Sequence, residues 1–304
     1  MTLPRPSHGA AKPNGGTGTL LPIIDVAVTG IGRAVQTLPG LFAIYWLPWL
    51  LGTVVLVILE VVIQDQMRLG RAPDWAREIL WAPFMAMTYL MLLRWVLDGE
   101  PPARAINVEV GRKTRVATPI VAAWFAANVT VSDAPMPMMR WLVAPSDVLA
   151  YRWEDATPYF YAFRFAAWLV NGALSACFFG LIVVVAKRGW PDLRQLWRLL
   201  RLQPVRLLSV SLLAAAAVGG LWSLGSQALT WLDVGRLAPS TMIPWRANVG
   251  WALLAELPNF PLHFLHFAIE GSILAEAFRR LLVADQPVPS GAPVRGRESR
   301  QRRS

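Results

Sequence analysis

Long apolar runs decide what this chain can fold into. A helix crosses about 30 Å of hydrocarbon with about 20 predominantly apolar residues, and residues 41–63, 79–97, 161–186 and 207–231 reach that length cleanly. A fifth run, 260–283, is long enough but carries Glu270, Glu276 and an arginine pair. A sixth, 116–131, is short and contains Pro119. Backbone polar groups inside hydrocarbon must be satisfied within the segment, so such runs fold as helices. The expectation is an all-α, polytopic transmembrane helix bundle of about six spans within residues 21–285. Disordered tails are expected at 1–20 and 286–304.

The composition agrees. Apolar residues make up 55% of the chain and charged residues 16%, outside the usual soluble balance. Fifteen tryptophans against five tyrosines cluster near the ends of apolar runs, as an aromatic belt at the headgroup level does. The one cysteine, Cys177, lies inside an apolar run, which excludes an intramolecular disulfide and a cysteine metal cluster. The first twenty residues lack the hydrophobic core of a cleaved signal peptide.

The formal charge of +10 arises from 29 Lys and Arg against 19 Asp and Glu. These cations flank hydrophobic segments and form no groove interleaved with aromatics, so nucleic acid is not the expected partner. Anionic lipid headgroups are. Positive residues in short loops stay in the cytoplasm. With both termini inside, the inner regions hold 21 of the 29 and the outer loops hold 8. Deleting the 116–131 span would put either the basic loop 187–206 or the arginine-rich tail outside. The expected location is the bacterial inner membrane, multi-pass, with both termini cytoplasmic.

Two basic stretches have a helical periodicity of their own. Ile24, Val28, Ile31, Val35 and Leu38 recur at steps of four and three before the first span. Leu193, Leu196, Trp197 and Leu200 share one face of a second stretch, and Arg194, Arg198 and Arg201 share the other. Such helices lie in the interface plane with arginines toward lipid phosphates. The alternative is that the two pack on each other as cytoplasmic helices. Arg33 precedes Pro39 by six residues, as Arg198 precedes Pro204; Arg94 precedes Pro101 by seven, as Arg280 precedes Pro287. The pattern suggests parallel repeats, each a basic helix followed by an out-and-back hairpin.

Small residues mark a packing surface. Gly172, Ala176 and Gly180 fall on one stripe of the fourth span, and Ser211, Ala215, Gly219 and Ser223 on one stripe of the fifth. Stripes of this kind let two helix backbones approach closely, so these two spans are expected to meet along them. His263, His266 and Glu270, at i, i+3 and i+7, project from one helical face near Pro258 and Pro261. Imidazoles and a carboxylate so placed could ligate a metal or relay protons. The other reading is an interfacial segment with a wet polar face.

No phosphate loop, Rossmann glycine set, nucleophile elbow or HExxH is present. No cofactor is expected, and no catalytic residue is identified. The leading expectation is a non-enzymatic inner-membrane protein that scaffolds membrane or envelope processes, with a homo-oligomer or a membrane-protein partner open to it. A small transporter or channel would need a polar path through Asn171, Glu256 and Glu270. An intramembrane metal enzyme would need His263, His266 and Glu270.

The boundary motifs carry a resemblance. The entry IGRAVQTLPGLFAIYWLPWLL from Ile31, the exit LLRWVLDGEPPAR from Leu92, the junction RQLWRLLRLQPVRLL from Arg194 and the close EAFRRLL from Glu276 resemble uncharacterised six-helix membrane proteins of proteobacteria. The layout over residues 25–285 is also similar to the membrane domain that accompanies some glycerophosphodiester phosphodiesterases. The resemblance implies a six-helix membrane fold and brings no catalytic residues, since the phosphodiesterase domain is absent from this sequence.

Overall fold

The structure, a computed structural model, describes residues 21–67, 74–99, 108–133, 153–231 and 259–285. They form seven helices and no strand: α1 Ile23–Met67, α2 Asp74–Asp98, α3 Val108–Asp133, α4 Trp153–Arg188, α5 Leu193–Leu202, α6 Pro204–Trp231 and α7 Asn259–Ala284. The expected tails at 1–20 and 286–304 lie outside the described residues. Among the described residues two helical segments are long and apolar enough to cross a membrane, Tyr161–Arg188 within α4 and Pro204–Gly225 within α6.

The long helices alternate in direction, and six of their ends meet at one end of the bundle. Arg33 of α1 donates to the Val96 carbonyl of α2 at 3.1 Å, and Arg280 of α7 reaches Asp25 of α1 at 2.7 Å. Lys113 of α3 donates to the Ala186 carbonyl of α4 at 2.6 Å, while Lys187 pairs with Asp98 at 2.7 Å. Arg206 of α6 donates to the Leu21 carbonyl just before α1 at 3.0 Å. So α1, α3 and α6 start where α2, α4 and α7 finish. Here we call this end the basic rim.

Glycines turn the chain at two of these exits. Gly99 and Gly189 have φ of 71° and 81°, the left-handed conformation that ends helices cheaply only without a Cβ. Asp192 then caps α5, accepting from the backbone N–H groups of Arg194 and Gln195 at 3.0 and 3.1 Å.

The helix at the centre is the last in the chain. α7 packs on α1, α2, α4, α5 and α6, and its Phe267 meets Phe125 of α3 with ring centroids 6.3 Å apart. Residues 270–278 are all buried, and a helix covered on every side is a core element rather than a surface one.

The separate interfacial helix expected before the first span does not exist. Residues 23–67 form one continuous helix of 45 residues that runs through Pro39. Its Ile24, Val28 and Val35 face outward at 75%, 63% and 65% exposure. The opposite face, with Ala27, Gly30, Ala34, Thr37 and Leu41, is buried. Small side chains there let α1 lie close against α7, and that contact holds the helix together across the proline. The second proline behaves differently. Pro204 begins α6, a position that tolerates its missing N–H, and Gln203 before it breaks the chain at φ −149°, ψ 66°. The two units of the expected repeat therefore differ in fold.

Gly30 is the closest point of the α1–α7 contact. A Cβ there would stand 2.5 Å from the Ile273 Cα, whereas one at Gly32 would meet nothing within 4 Å. Gly30→Leu is expected to destabilise the bundle by about 1–3 kcal/mol or more through overpacking, with Gly32→Leu close to neutral. Thermal unfolding of both variants in detergent checks this, and equal tolerance at the two positions would mean that the helices do not approach so closely.

Candidate functional site

Two polar clusters sit on α7 inside the bundle, and each joins it to a neighbour. The stronger surrounds Glu276, whose side chain has no exposed surface. Arg279 holds it bidentately, Nε to Oε2 at 2.8 Å and Nη2 to Oε1 at 2.7 Å. Arg280 Nε donates to Oε1 at 2.8 Å, and Arg33 Nη2 of α1 lies 3.3 Å from Oε2.

Helical spacing places the first two arginines. Positions i+3 and i+4 share the face of Glu276, so one carboxylate meets two guanidiniums from its own helix. The third comes from α1 because the Gly30 contact brings that helix close. Asp25 extends the cluster through its 2.7 Å pair with Arg280. Three guanidiniums against two carboxylates leave one positive charge in excess at the rim.

The second cluster lies farther up α7. Trp222 of α6 donates its indole N–H to His266 Nδ1 at 3.1 Å, and His266 Nε2 lies 3.3 Å from Glu270 Oε2. An indole N–H can only donate, so Nδ1 must be the acceptor. A neutral imidazole in this place therefore carries its proton on Nε2, directed at Glu270. The ring also stacks on Phe267, with centroids 4.6 Å apart.

His266 and Glu270 do meet, but both ring nitrogens of His266 are taken up by Trp222 and Glu270, which leaves no lone pair for a metal in this arrangement. The side chain of His263 lies outside the described residues, as does Glu256. Among the described residues no group of three His, Cys, Asp or Glu side chains is placed to hold a metal ion.

The small-residue stripes are used in part. Ser211 Oγ donates to the Gly172 carbonyl at 2.7 Å, and a Cβ at Gly172 would stand 2.5 Å from Leu212 Cδ2. Ala176 is buried and Ala215 half-buried. Gly180, however, receives Leu196 of α5 and Phe278 of α7, with a Cβ there 2.6 and 2.8 Å from their side chains. Gly219 is exposed, and a Cβ on it would meet nothing within 4 Å. The close approach of α4 and α6 is thus confined to the level of Gly172 and does not extend to Gly219.

Arg194, Arg198 and Arg201 are all exposed on α5. That helix turns its apolar residues two ways, with Leu196 and Leu199 buried and Leu193 and Trp197 exposed at 69% and 65%. The i, i+4 spacing of Glu276 and Arg280 marks a helical ion pair in the sequence, but that spacing does not reach Arg33 or Asp25. The signal was Arg33 standing three residues beyond Gly30. Trp222 was missed because a tryptophan in an apolar run is read as belt or core.

Comparison with protein families, characterised proteins and solved structures finds no match for this chain.

Removing one partner from a buried ionic cluster leaves the others uncompensated, at a cost on the order of 3 kcal/mol. Glu276→Gln should show that loss, since the amide N–H₂ would also face guanidinium donors. Asp25, 61% exposed in its pair, should cost less than about 1 kcal/mol as Asp25→Asn. Detergent unfolding midpoints measure both, and a Glu276→Gln protein as stable as its parent would remove the cluster from any structural role.

Proposed function

We propose that the chain is a multi-pass protein of the bacterial inner membrane that acts as a non-enzymatic scaffold, its basic rim facing the cytoplasm. One observation carries the reading: among the described residues the Lys and Arg ion pairs gather at the rim, and the middle of the bundle is filled with rings. Tyr89, Trp124 and Phe179 are fully buried. Tyr89 stacks on Trp124 at 5.5 Å and meets Phe179 edge-on at 5.4 Å and Phe267 at 6.1 Å. Aromatic packing of this density favours a rigid body.

The transport reading would need a polar path. Asn171 instead bonds Ser132 across α4 and α3 at 2.9 Å, while Glu270 bonds His266 beside α6. These belong to different helix pairs, with the ring cluster filling the middle. A scaffold needs no path, only stable spans and a rim that can be recognised.

The 21 to 8 division of positive residues and the common end of the six helices support this orientation. Reporter fusions after residues 110, 200 and 290 should read as cytoplasmic, and fusions after 72, 148 and 240 as external. A carboxyl terminus outside, or a chain released from membranes by alkaline carbonate, would overturn the proposal.

A further inference from the structure

Most positive side chains at the basic rim are engaged. Arg33, Arg279 and Arg280 serve Glu276 and Asp25. Lys187 serves Asp98, Lys113 serves Glu109, and Arg188 serves Asp192. Arg206 holds the Leu21 carbonyl. Arg112 and Arg115 near the start of α3 are exposed and make no ion pair or hydrogen bond among the described residues, and the same holds for three arginines of one element, Arg194, Arg198 and Arg201 of α5.

The same element exposes large apolar groups. Trp190 is 54% exposed just before α5, and Val205 is 75% exposed just after it. Around the helix, Leu196 and Leu199 face the bundle, Leu193 and Trp197 come next, and Arg201, Arg194 and Arg198 follow. At 1.5 Å per residue, ten residues span about 15 Å, half of what a crossing needs. So α5 lies against the bundle at the rim, with an apolar flank beside a cationic one. Leu196 seats it in the space left by Gly180.

We infer that α5, with Trp190, is a docking element for anionic phospholipid. The inference rests on the membrane placement proposed above and names the ligand of its rim. Arg194, Arg198 and Arg201 take the lipid phosphate through charge-assisted hydrogen bonds. Trp190, Leu193 and Trp197 enter the boundary between headgroups and acyl chains, where indoles are favoured. A free phosphate ion would use the arginines and leave the apolar flank bare, so a lipid accounts for both halves of the surface.

The test uses the full chain purified in a neutral detergent, with thermal unfolding followed as dioleoylphosphatidylglycerol, dioleoylphosphatidylcholine or inorganic phosphate is added. Phosphatidylglycerol should raise the midpoint, and the other two should leave it unchanged. R194Q/R198Q/R201Q should unfold like the parent in detergent alone and require about fivefold more phosphatidylglycerol for each arginine removed. Trp197→Ser, with every charge kept, should show a smaller loss of the same response. The inference is overturned by an equal rise with phosphatidylcholine, by a rise with phosphate alone, or by a full response in the triple variant. Release of the parent chain by carbonate would instead strike the membrane placement, which separates the two failures.

Discussion

An ionised carboxylate with no exposed surface must be met by positive charge at contact distance, and Glu276 imposes that condition on the bundle. Two of the guanidiniums it needs lie on its own helix. The third, Arg33, brings α1 to a fixed depth beside α7 and with its other arm reaches the Val96 carbonyl at the end of α2. One buried charge therefore sets the vertical register of three helices. Gly30 makes the arrangement sterically possible, because a side chain there would keep Arg33 from its partner.

The remaining rim contacts repeat this logic at lower stakes. Lys113 ties the start of α3 to the end of α4, Lys187 joins the ends of α4 and α2, and Arg206 joins the start of α6 to the entry of α1. Carbonyls in the last turn of a helix lack intrahelical partners, so a lysine or arginine from the adjacent helix satisfies them and fixes its position. Charge that a sequence count reads as topology is, in the folded chain, also the fastening between helices. The three arginines of α5 stand outside that network.

Much of the fold is legible from apolar run length, because period and hydrophobicity act within one segment. The runs 79–97, 161–186, 207–231 and 260–283 all lie inside long helices, and Pro119 is accommodated inside α3. The continuity of α1 was not legible. An arginine six residues before a proline looks the same at Pro39 and at Pro204, and only the presence of α7 beside Gly30 separates a helix that continues from one that stops. Stripe periodicity told which face of α6 was small, but not how far α4 runs along it, so Gly172 and Gly219 looked equivalent. The pairing of His266 with Glu270 followed from their spacing. Its third member, Trp222, lies 44 residues away, and no local pattern points there.

The seam between α6 and α7 passes through a single imidazole ring. Nδ1 of His266 accepts from Trp222 of α6, and Nε2 faces Glu270 of its own helix. The indole can only donate, so this place on α7 needs an acceptor toward Trp222. One side chain thus serves both helices at once, and any residue put in its place would have to accept toward α6 while donating along α7.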